Sequence, residues 1–539
     1  MRDILLLQLN RLGDLVQTMP LMRRLRREHP EAKIVLVAQE GFSGILAECG
    51  YFDTLISLPL RDLEALGVPE RQAAFPDLPP FDAYPEFRRS YDLVVNLTND
   101  LASAILCEKA QGARKLGRIH TYEGELRLLG PWAKYMFSMV GHRVENLFNV
   151  VDVQMGIAGL VPSPEPRSMP LPENRKREAA ELLAAQGRRP GSRLVALQSA
   201  ASELQRAWSL ENFAETARSL IAEGGLQILL LGEARERGRT ERLSRLIGLP
   251  VLDLTGKTSL LQLPAVLAAC DLLISNDTGT IHVAAAAGTP ALGLYFATAY
   301  YTETAPYGEG HVVLQVELPC APCNTSARCP VQVCREYLRP EAVAETALWM
   351  LGSRGAPPRI HPNLSMYRSR FLANGSLAYL PVHPETASDH FLTGLLGRLL
   401  WEGVLGLSRD PGLEALGHSA RGSAEWGRKK AAFKASLQSM GAPFREGLAA
   451  AESLRAEFAS DAPVRERIIA LHGTLAGLGK SMAEASRHAG LCGKFLHFEM
   501  MDMDFATYPV LADLLEEKYR NLVDWVDRFE AVLTRPAGP

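Results

Sequence analysis

The sequence predicts an α/β protein with two sheets of mainly parallel strands, followed by a mainly helical C-terminal extension. Three observations support this fold class. Over residues 1–350, short apolar runs alternate with segments of helical periodicity, which is typical of parallel strands joined by crossover helices. A proline-dense stretch at residues 162–172 interrupts the alternation, which then restarts. From about residue 385 the strand pattern ends, and helical periodicity dominates.

The alternation divides the first 350 residues into two predicted domains, residues 1–160 and 176–352. In the first, the predicted strands are residues 4–9, 34–38, 51–58 and 93–97, with helices at 15–27 and 101–110. In the second, the predicted strands are residues 194–197, 227–231, 251–254 and 272–274, with helices at 210–222, 235–247 and 260–269. Residues 61–90, rich in Pro, Asp and Arg, predict a long insertion.

The C-terminal region begins with a Pro/Gly linker at residues 355–362. Asn374-Gly375 between apolar, aromatic-rich flanks predicts a hairpin within residues 364–382. Predicted helices follow at residues 387–406, 423–458, 464–489 and 510–533. We find no catalytic or metal motif there, so residues 385–539 are predicted to form a helical accessory domain for self-association or acceptor recognition.

Composition restricts the function classes. With 539 residues, 47% hydrophobic and 22% charged, the chain has the composition of a globular protein. A formal net charge of −3 gives no reason to expect a nucleic-acid partner. No apolar run approaches the ~20 residues that span a bilayer. Residues 1–9 predict a strand rather than a signal peptide, so we expect the cytosol, where the eight cysteines stay reduced or bind metal.

Residues 271–290 contain the pattern most informative about function. A short apolar run predicts a buried strand, the turn Asn276-Asp277-Thr278-Gly279 follows, and an alanine-rich helix ends at Gly288-Thr289-Pro290. The first-turn amides of such a helix attract phosphate at the carboxyl end of the sheet. An ordinary capped βα unit is the alternative. Neither the phosphate loop of NTPases nor G-x-G-x-x-G is present, which argues against an NTPase and a dinucleotide dehydrogenase.

The turn after the first strand contains a second candidate group, Asp14. Its carboxylate is predicted to point into the cleft between the domains, and Gly13 is expected to let the backbone turn sharply enough to aim it. The alternative is that Asp14 caps a helix beginning at Leu15.

These motifs resemble those of the lipopolysaccharide heptosyltransferases, glycosyltransferase family 9. Asp277-Thr278-Gly279 with His282 is similar to the family's nucleotide-sugar signature, and the segment from Arg11 to Pro20 resembles its R-[IL]-G-D-x-V-x-T-x-P. The resemblance covers residues 1–350. It implies GT-B architecture, in which two Rossmann-like domains face a cleft, with the acceptor held by the first and the nucleotide sugar by the second.

The resemblance also implies roles for individual residues. Asp14 matches the catalytic base, and Glu233 matches the glutamate that binds ribose. Arg206 stands where the family has a lysine and keeps a positive charge for a diphosphate. The full set of expected donor-binding residues is Ser199, Arg206, Glu233, Thr258, Asp277, Thr278, Gly279 and His282.

Three residues are candidates for binding the acceptor: Arg11, Arg118 and His142. Asn146 stands where the segment similar to the family's H-x-V-x-R has arginine. Arg118 belongs to a small basic cluster with Arg114 and Lys115, for which a solvated face is an equal alternative. The same alternative applies to the arginines at positions 23, 24, 26 and 27.

Cys320, Cys323, Cys329 and Cys334 form a dense cluster in the sequence. Four thiolates at short spacing can hold a structural zinc or iron ion. Free thiols are an equal alternative, and disulfides are less expected in a reducing cytosol.

The resemblance predicts an inverting glycosyltransferase that transfers heptose from ADP-L-glycero-D-manno-heptose to a lipopolysaccharide core acceptor, without a cofactor for the transfer. The expected location is the cytoplasm, including the inner membrane surface where a lipid A–core acceptor lies. Two alternatives stay open. One is a protein heptosyltransferase of the autotransporter type whose cysteines hold iron, and the other is a non-catalytic nucleotide-sugar-binding scaffold.

Overall fold

The computed structural model describes residues 1–59, 84–121, 124–201, 203–323, 329, 331–408 and 410, and short stretches between 412 and 527. The chain divides into two compact units. The first contains Met1–Glu125 and Phe148–Ser388, and the second contains Leu126–Leu147 and Asp389–Pro539. Both predicted Rossmann-like domains therefore lie in the first unit, apart from residues 126–147. Most of the predicted insertion at 61–90 lies outside the described residues.

The first half of the chain alternates strands and helices as predicted. In chain order its elements are β1 (Asp3–Gln8), α1 (Leu12–Gln17), α2 (Met19–Glu28), β2 (Lys33–Gln39), α3 (Glu40–Ser43), β3 (Thr54–Leu58), β4 (Ser90–Asn96), α4 (Leu101–Lys109), β5 (Gln111–His120), β6 (Leu126–Leu129), α5 (Pro131–Met139) and α6 (Val150–Ile157). Within the first unit the strands lie in the order β3-β2-β1-β4-β5, and neighbours run parallel. Residues 4–7 of β1 are fully buried, since helices cover both faces of a parallel sheet.

The second half forms a larger sheet. Its elements are α7 (Glu173–Ala185), β7 (Leu194–Gln198), α8 (Leu210–Gly224), β8 (Gln227–Leu231), α9 (Arg237–Ile247), β9 (Leu252–Asp253), α10 (Leu263–Ala268), β10 (Leu272–Asn276), α11 (Gly279–Ala287), β11 (Ala291–Tyr295), α12 (Tyr301–Thr304), β12 (Val312–Val316), α13 (Cys334–Tyr337), α14 (Pro340–Met350), β13 (Leu364–Phe371) and β14 (Leu377–Pro381). The strand order is β14-β13-β12-β11-β10-β7-β8-β9.

Both sheets have the Rossmann strand order. Counted from its own first strand, the first sheet reads 3-2-1-4-5 and the parallel part of the second reads 3-2-1-4-5-6. The order reverses between β1 and β4 in one sheet and between β7 and β10 in the other. Ligands of open α/β sheets bind at such points, outside the carboxyl ends of the strands. The predicted α/β class with two Rossmann-like sheets is confirmed, and both reversals fall where the sequence motifs lie.

The second sheet extends beyond the domain boundary predicted at residue 352. β13 pairs antiparallel with β12, and β14 pairs antiparallel with β13. The predicted hairpin forms at Asn374-Gly375, where Gly375 has a φ of +83°. The ring of Tyr367 on β13 stacks on Tyr301 with centroids 4.1 Å apart. A boundary at 352 would separate two strands from their sheet, so the first unit continues to Ser388.

The proline-dense stretch at 162–172 is fixed to the first half by the arginines of α2. The buried carboxylate of Glu165 accepts hydrogen bonds from Arg23, at 2.8 Å, and from Arg27. Arg24 donates to the hydroxyl of Ser163, and Arg26 donates to Asp53 at 2.6 Å. A buried carboxylate needs such partners. The basic run therefore forms ion pairs and hydrogen bonds within the fold rather than an acceptor surface.

The second unit is described in part. It contains α15 (Asp389–Val404), in which Arg398 and Glu402 form a buried ion pair of 3.2 Å. Most of the helices predicted over 423–458, 464–489 and 510–533 lie outside the described residues. Among the described helices of the chain, none combines the length and apolar character needed to cross a membrane.

Candidate functional site

A cavity of about 470 Å³ lies in the first unit, where turns from the two sheets meet. It is lined by Arg11, Leu12, Gly13, Phe42, Gln198, Ala200, Ala201, Glu233, Arg235, Glu236, Thr278, Gly279 and Thr280. Its floor includes the first turn of α11, which begins after the extended residue Thr278. The free amides of that turn and the positive end of the helix dipole suit a phosphate. Thr278 and Gly279 therefore both line this cavity.

Asp14 is the third residue of α1 and follows three residues that line the cavity, Arg11, Leu12 and Gly13, but it is not itself a lining residue. The helix begins at Leu12 with Arg11 as its N-cap, so Asp14 does not cap a helix starting at Leu15. Burial raises the pKa of the Asp14 carboxyl, while hydrogen bonds from the backbone N–H groups of Arg11 and Asp14 and the charge of Arg11 oppose the shift. A carboxylate with a raised pKa is a better proton acceptor than one in water.

Asp277 follows β10 and is 7% exposed. Burial raises its pKa to about 6, the charge of Arg206 opposes that shift, and the negative charge of Asp14 adds to it. Asp14 is therefore close enough to Asp277 for their charges to interact. Arg206 Nη1 donates to Asp277 Oδ2 at 3.2 Å, and Arg206 Nε donates to the hydroxyl of Thr298. Arg206 therefore forms an ion pair with Asp277 and does not line the cavity.

His282 lies on α11 one turn beyond the cavity and is 5% exposed. Burial lowers the pKa of its imidazole to about 3, and the charge of His311 would act in the same direction. His282 is therefore neutral at physiological pH. Its Nδ1 is buried and has no hydrogen-bond partner among the described residues. Its ring lies against Gly13, not in the cavity lining.

Glu233 lines the cavity and is exposed. Its side chain caps a short 3₁₀ turn and pairs with Arg235 at 2.7 Å. Glu236, which no sequence motif indicated, lines the same wall, and its carboxylate accepts a hydrogen bond from the Glu233 backbone N–H at 2.8 Å. The amide of Gln198 donates to that carboxylate at 3.4 Å. Position at the carboxyl ends of β7 and β8 was the signal that could have identified Gln198 and Glu236.

Ser199 and Thr258 differ in their relation to the cavity. The Ser199 side chain is buried next to the lining residue Ala200, and its hydroxyl has no hydrogen-bond partner among the described residues. The Ser199 carbonyl accepts from Asn276 at 2.8 Å and from Arg239 at 2.9 Å, which fixes this turn. Thr258 lies in the loop after β9 and is not among the lining residues.

The three acceptor candidates occupy different places. Arg11 is exposed and lines the cavity. Arg118 on β5 donates to the carbonyl of Asn99, and burial lowers the pKa of its guanidinium. His142 belongs to the second unit, where its Nδ1 lies 3.3 Å from Glu145. Of the three, only Arg11 lines the cavity.

The four clustered cysteines form no disulfide. Cys320 and Cys329 are exposed, and burial raises the pKa of the Cys334 thiol. Within the described residues, no three His, Cys, Asp or Glu side chains are arranged to hold a metal ion. The predicted zinc or iron centre therefore finds no support in the described part of the chain.

Comparisons with known proteins concern the part of the chain that contains both sheets. The family model for glycosyltransferase family 9 (heptosyltransferase) matches residues 86–332. Lipopolysaccharide heptosyltransferase 3 of Escherichia coli is 26% identical over 53% of this chain and 81% of its own length. Lipopolysaccharide core heptosyltransferase OpsX of Haemophilus influenzae is 32% identical over 21% of this chain and 33% of its own length.

A solved structure, that of E. coli ADP-heptose LPS heptosyltransferase II, is 20% identical, with a TM-score of 0.48. That comparison covers 66% of this chain and 99% of the solved chain. The family match includes the turn from Asp277 to Gly279 and the parallel strands β7 to β12 of the sheet that carries it. Residues 86–332 therefore match glycosyltransferase family 9, the heptosyltransferase family, and these relatives indicate that the chain is a glycosyltransferase.

Proposed function

We propose that this protein transfers heptose from ADP-L-glycero-D-manno-heptose to a sugar of the lipopolysaccharide core, with inversion at C1. The observation that supports this best is the meeting of two turns at one cavity. Arg11, Leu12 and Gly13, the residues before Asp14, line it from one turn, and Thr278, Gly279 and Thr280 line it from the other. The relatives that match this chain are named as heptosyltransferases of lipopolysaccharide and its core.

The donor would lie with its diphosphate on the first turn of α11 and its ribose against the wall that contains Glu233 and Glu236. Backbone amides and the helix dipole neutralise a diphosphate without moving charge during the reaction. Arg11, which lines the cavity, and Arg206, 3.2 Å from Asp277, could share that charge. We therefore propose that the transfer needs no metal ion.

Asp14 would act as the general base. As the acceptor oxygen attacks C1 of the heptose, the C1–O bond to the diphosphate breaks and ADP leaves. The acceptor hydroxyl gives its proton to the Asp14 carboxylate in the same step. Attack from the face opposite the leaving group inverts the configuration at C1, through an oxocarbenium-like transition state as in related glycosyl chemistry. The acceptor would be a lipid A–core molecule met at the cytoplasmic face of the inner membrane.

The test is release of ADP from ADP-heptose with and without a lipid A–core acceptor lacking heptose. We expect ADP release to depend on the acceptor, and mass spectrometry should show one added heptose on the core oligosaccharide. Tight ADP binding with no ADP release on any core acceptor would instead favour a non-catalytic role. A heptose found on a serine of a protein substrate would contradict the proposed acceptor.

The donor assignment predicts the response of ADP binding to Glu233→Ala. A ribose hydroxyl bonded to a carboxylate is worth about 1.5–3 kcal/mol, so we expect ADP affinity to fall by about 10-fold or more in calorimetric titration. Glu241→Ala is a matched control, because Glu241 is an exposed residue of α9 that does not line the cavity. Unchanged affinity in Glu233→Ala with weakened affinity in Glu236→Ala would move the ribose contact to Glu236.

A further inference from the structure

The first turns of α1 and α11 are in direct contact, and glycines permit it. A Cβ atom added to Gly279 would lie 3.3 Å from the backbone nitrogen of Gly13 and 3.2 Å from Leu12 Cδ2. A Cβ atom added to Gly13 would lie 2.8 Å from His282 Cδ2, closer than real Cβ contacts. The imidazole of His282 thus forms a wall directly behind Gly13.

Glycine is needed at position 13 because the His282 ring leaves no room for a Cβ atom, and not because of the backbone conformation there. Gly13 is the second residue of a regular helix, and its φ is not positive. The expectation that glycine serves a sharp turn before Asp14 is therefore wrong, because an alanine could adopt the same backbone. What an alanine could not do is bring its Cβ within 3 Å of the His282 ring.

We propose that His282 is a positioning residue, whose ring holds Gly13 and thereby sets the place of Asp14 relative to the first turn of α11. The proposal rests on the proposed function, since it assumes that Asp14 is the base. It gives His282 a role different from the donor contact that the sequence predicted. The ring is 5% exposed, contacts the Gly13 side of α1 and does not line the cavity.

The physical consequence follows from where Asp14 stands. Asp14 is the next residue after Gly13 on the same helical turn, so any shift of Gly13 moves the carboxylate. A general base must lie within hydrogen-bond reach of the proton that it takes. Misplacement by about 1 Å can cost ~10²-fold in rate. The contact between Gly13 and His282 is thus expected to act on turnover, with little effect on the binding of ADP.

The experiment is a double-mutant cycle on Gly13→Ala and His282→Ala, with turnover measured as acceptor-dependent ADP release and binding measured by titration with ADP. We expect Gly13→Ala alone to lower kcat by at least ~10-fold while ADP affinity stays within about 2-fold. In the His282→Ala background, where the wall is gone, the same change should cost less than ~3-fold. Gly41→Ala is the control, since nothing lies within 4 Å of a Cβ there.

The variant His282→Phe distinguishes steric positioning of Gly13 by the ring from binding of the donor by a ring nitrogen. Phenylalanine keeps a ring behind Gly13 but has no nitrogen, so we expect its kcat to be at least ~10-fold above that of His282→Ala. A ring nitrogen that bound the donor would instead make both variants lose affinity for ADP together. That result, or equal cost of Gly13→Ala in both backgrounds, would overturn the proposal.

The assignment of Asp14 as the general base is tested separately from the positioning role of His282. Wild-type turnover in Asp14→Asn would overturn the role of His282 in placing Asp14, even if Gly13 and His282 were coupled. An inactive Asp14→Asn with additive effects at Gly13 and His282 would leave the proposed function standing and remove the positioning role. Thermal melting of each variant shows whether the protein remains folded.

Discussion

Asp14→Asn is expected to reduce heptosyl transfer by at least ~10²-fold while folding and ADP affinity stay near wild type. An acceptor hydroxyl is a poor nucleophile, because its proton must leave as the bond to C1 forms. A carboxylate within reach can take that proton, which typically contributes ~10²–10⁴-fold. Burial raises the pKa of Asp14, which increases its basicity while Arg11 helps to keep it ionised.

Asparagine is the most informative replacement because it keeps the shape of the side chain but carries no negative charge and cannot act as a base. The structure removes one earlier alternative, since the N-cap of α1 is Arg11. The Asp14 carboxylate still accepts hydrogen bonds from the first-turn N–H groups of Arg11 and Asp14, so thermal melting of Asp14→Asn has to show that the helix remains stable. Turnover by Asp14→Asn at the wild-type rate would show that the proton is taken elsewhere in the cleft. Asp14→Glu tests placement, because it keeps the carboxylate and moves it by one methylene.

The strands and the sheet order were predictable because their causes are local. β1, β7 and β10 are buried on both faces, so their sequences are continuous apolar runs. Alternation with helices then implies parallel sheets, and the functional turns follow the strands at the point where the strand order reverses. Asp14, Thr278 and Gly279 could be placed near one cleft on that basis alone.

The boundary at 352 could not be placed correctly for the opposite reason. β13 contains Arg368 and Ser369 and follows a Pro/Gly stretch, so its sequence resembles a separate hairpin. Its membership in the second sheet depends on pairing with β12, about 50 residues earlier. Pairing of distant strands leaves no local signal in either segment.

The same limit applies within the site. The sequence predicts that Arg206 contacts a diphosphate, whereas in the structure its guanidinium donates a hydrogen bond to Asp277, 71 positions later. The sequence predicts that Gly13 allows a sharp turn, whereas in the structure Gly13 packs against the ring of His282. The arginines of α2 could form a solvated surface from their sequence alone, but the buried Glu165, 142 residues after Arg23, pairs with Arg23 and Arg27. Residue type predicted the chemistry in each case, whereas the partner depended on tertiary structure.

The second large effect is expected at Asp277. Replacing it by asparagine removes a charge-assisted hydrogen bond to Arg206, which is worth about 1.5–3 kcal/mol, so we expect transfer to fall by ~10- to 10²-fold. The matched variant is Arg206→Lys, which keeps the charge but not the planar fork. Partial activity in Arg206→Lys and little in Arg206→Gln would show that the positive charge beside Asp277 is what matters.

The pH dependence of stability gives an independent measurement on Asp277. Its pKa is about 6 in the fold and near 3.8 in an ordinary environment, so the folded state binds the proton more tightly than the unfolded state. The resulting stabilisation is fully present below pH 3.8 and is lost as the pH rises through about 6. Between pH 5.0 and 7.5 this group should remove about 1.4 kcal/mol from the free energy of unfolding.

Asp277→Asn should lack that part of the pH dependence, because asparagine does not titrate. We therefore expect the fall in the free energy of unfolding from pH 5.0 to 7.5 to be smaller in the variant by about 1.4 kcal/mol, measured by denaturant titration. An identical fall in both proteins would show that Asp277 is not a destabilised buried carboxylate. The two measurements together test whether Asp277 is retained for catalysis at a cost in stability, because a residue kept only for folding would not lower stability as it ionises.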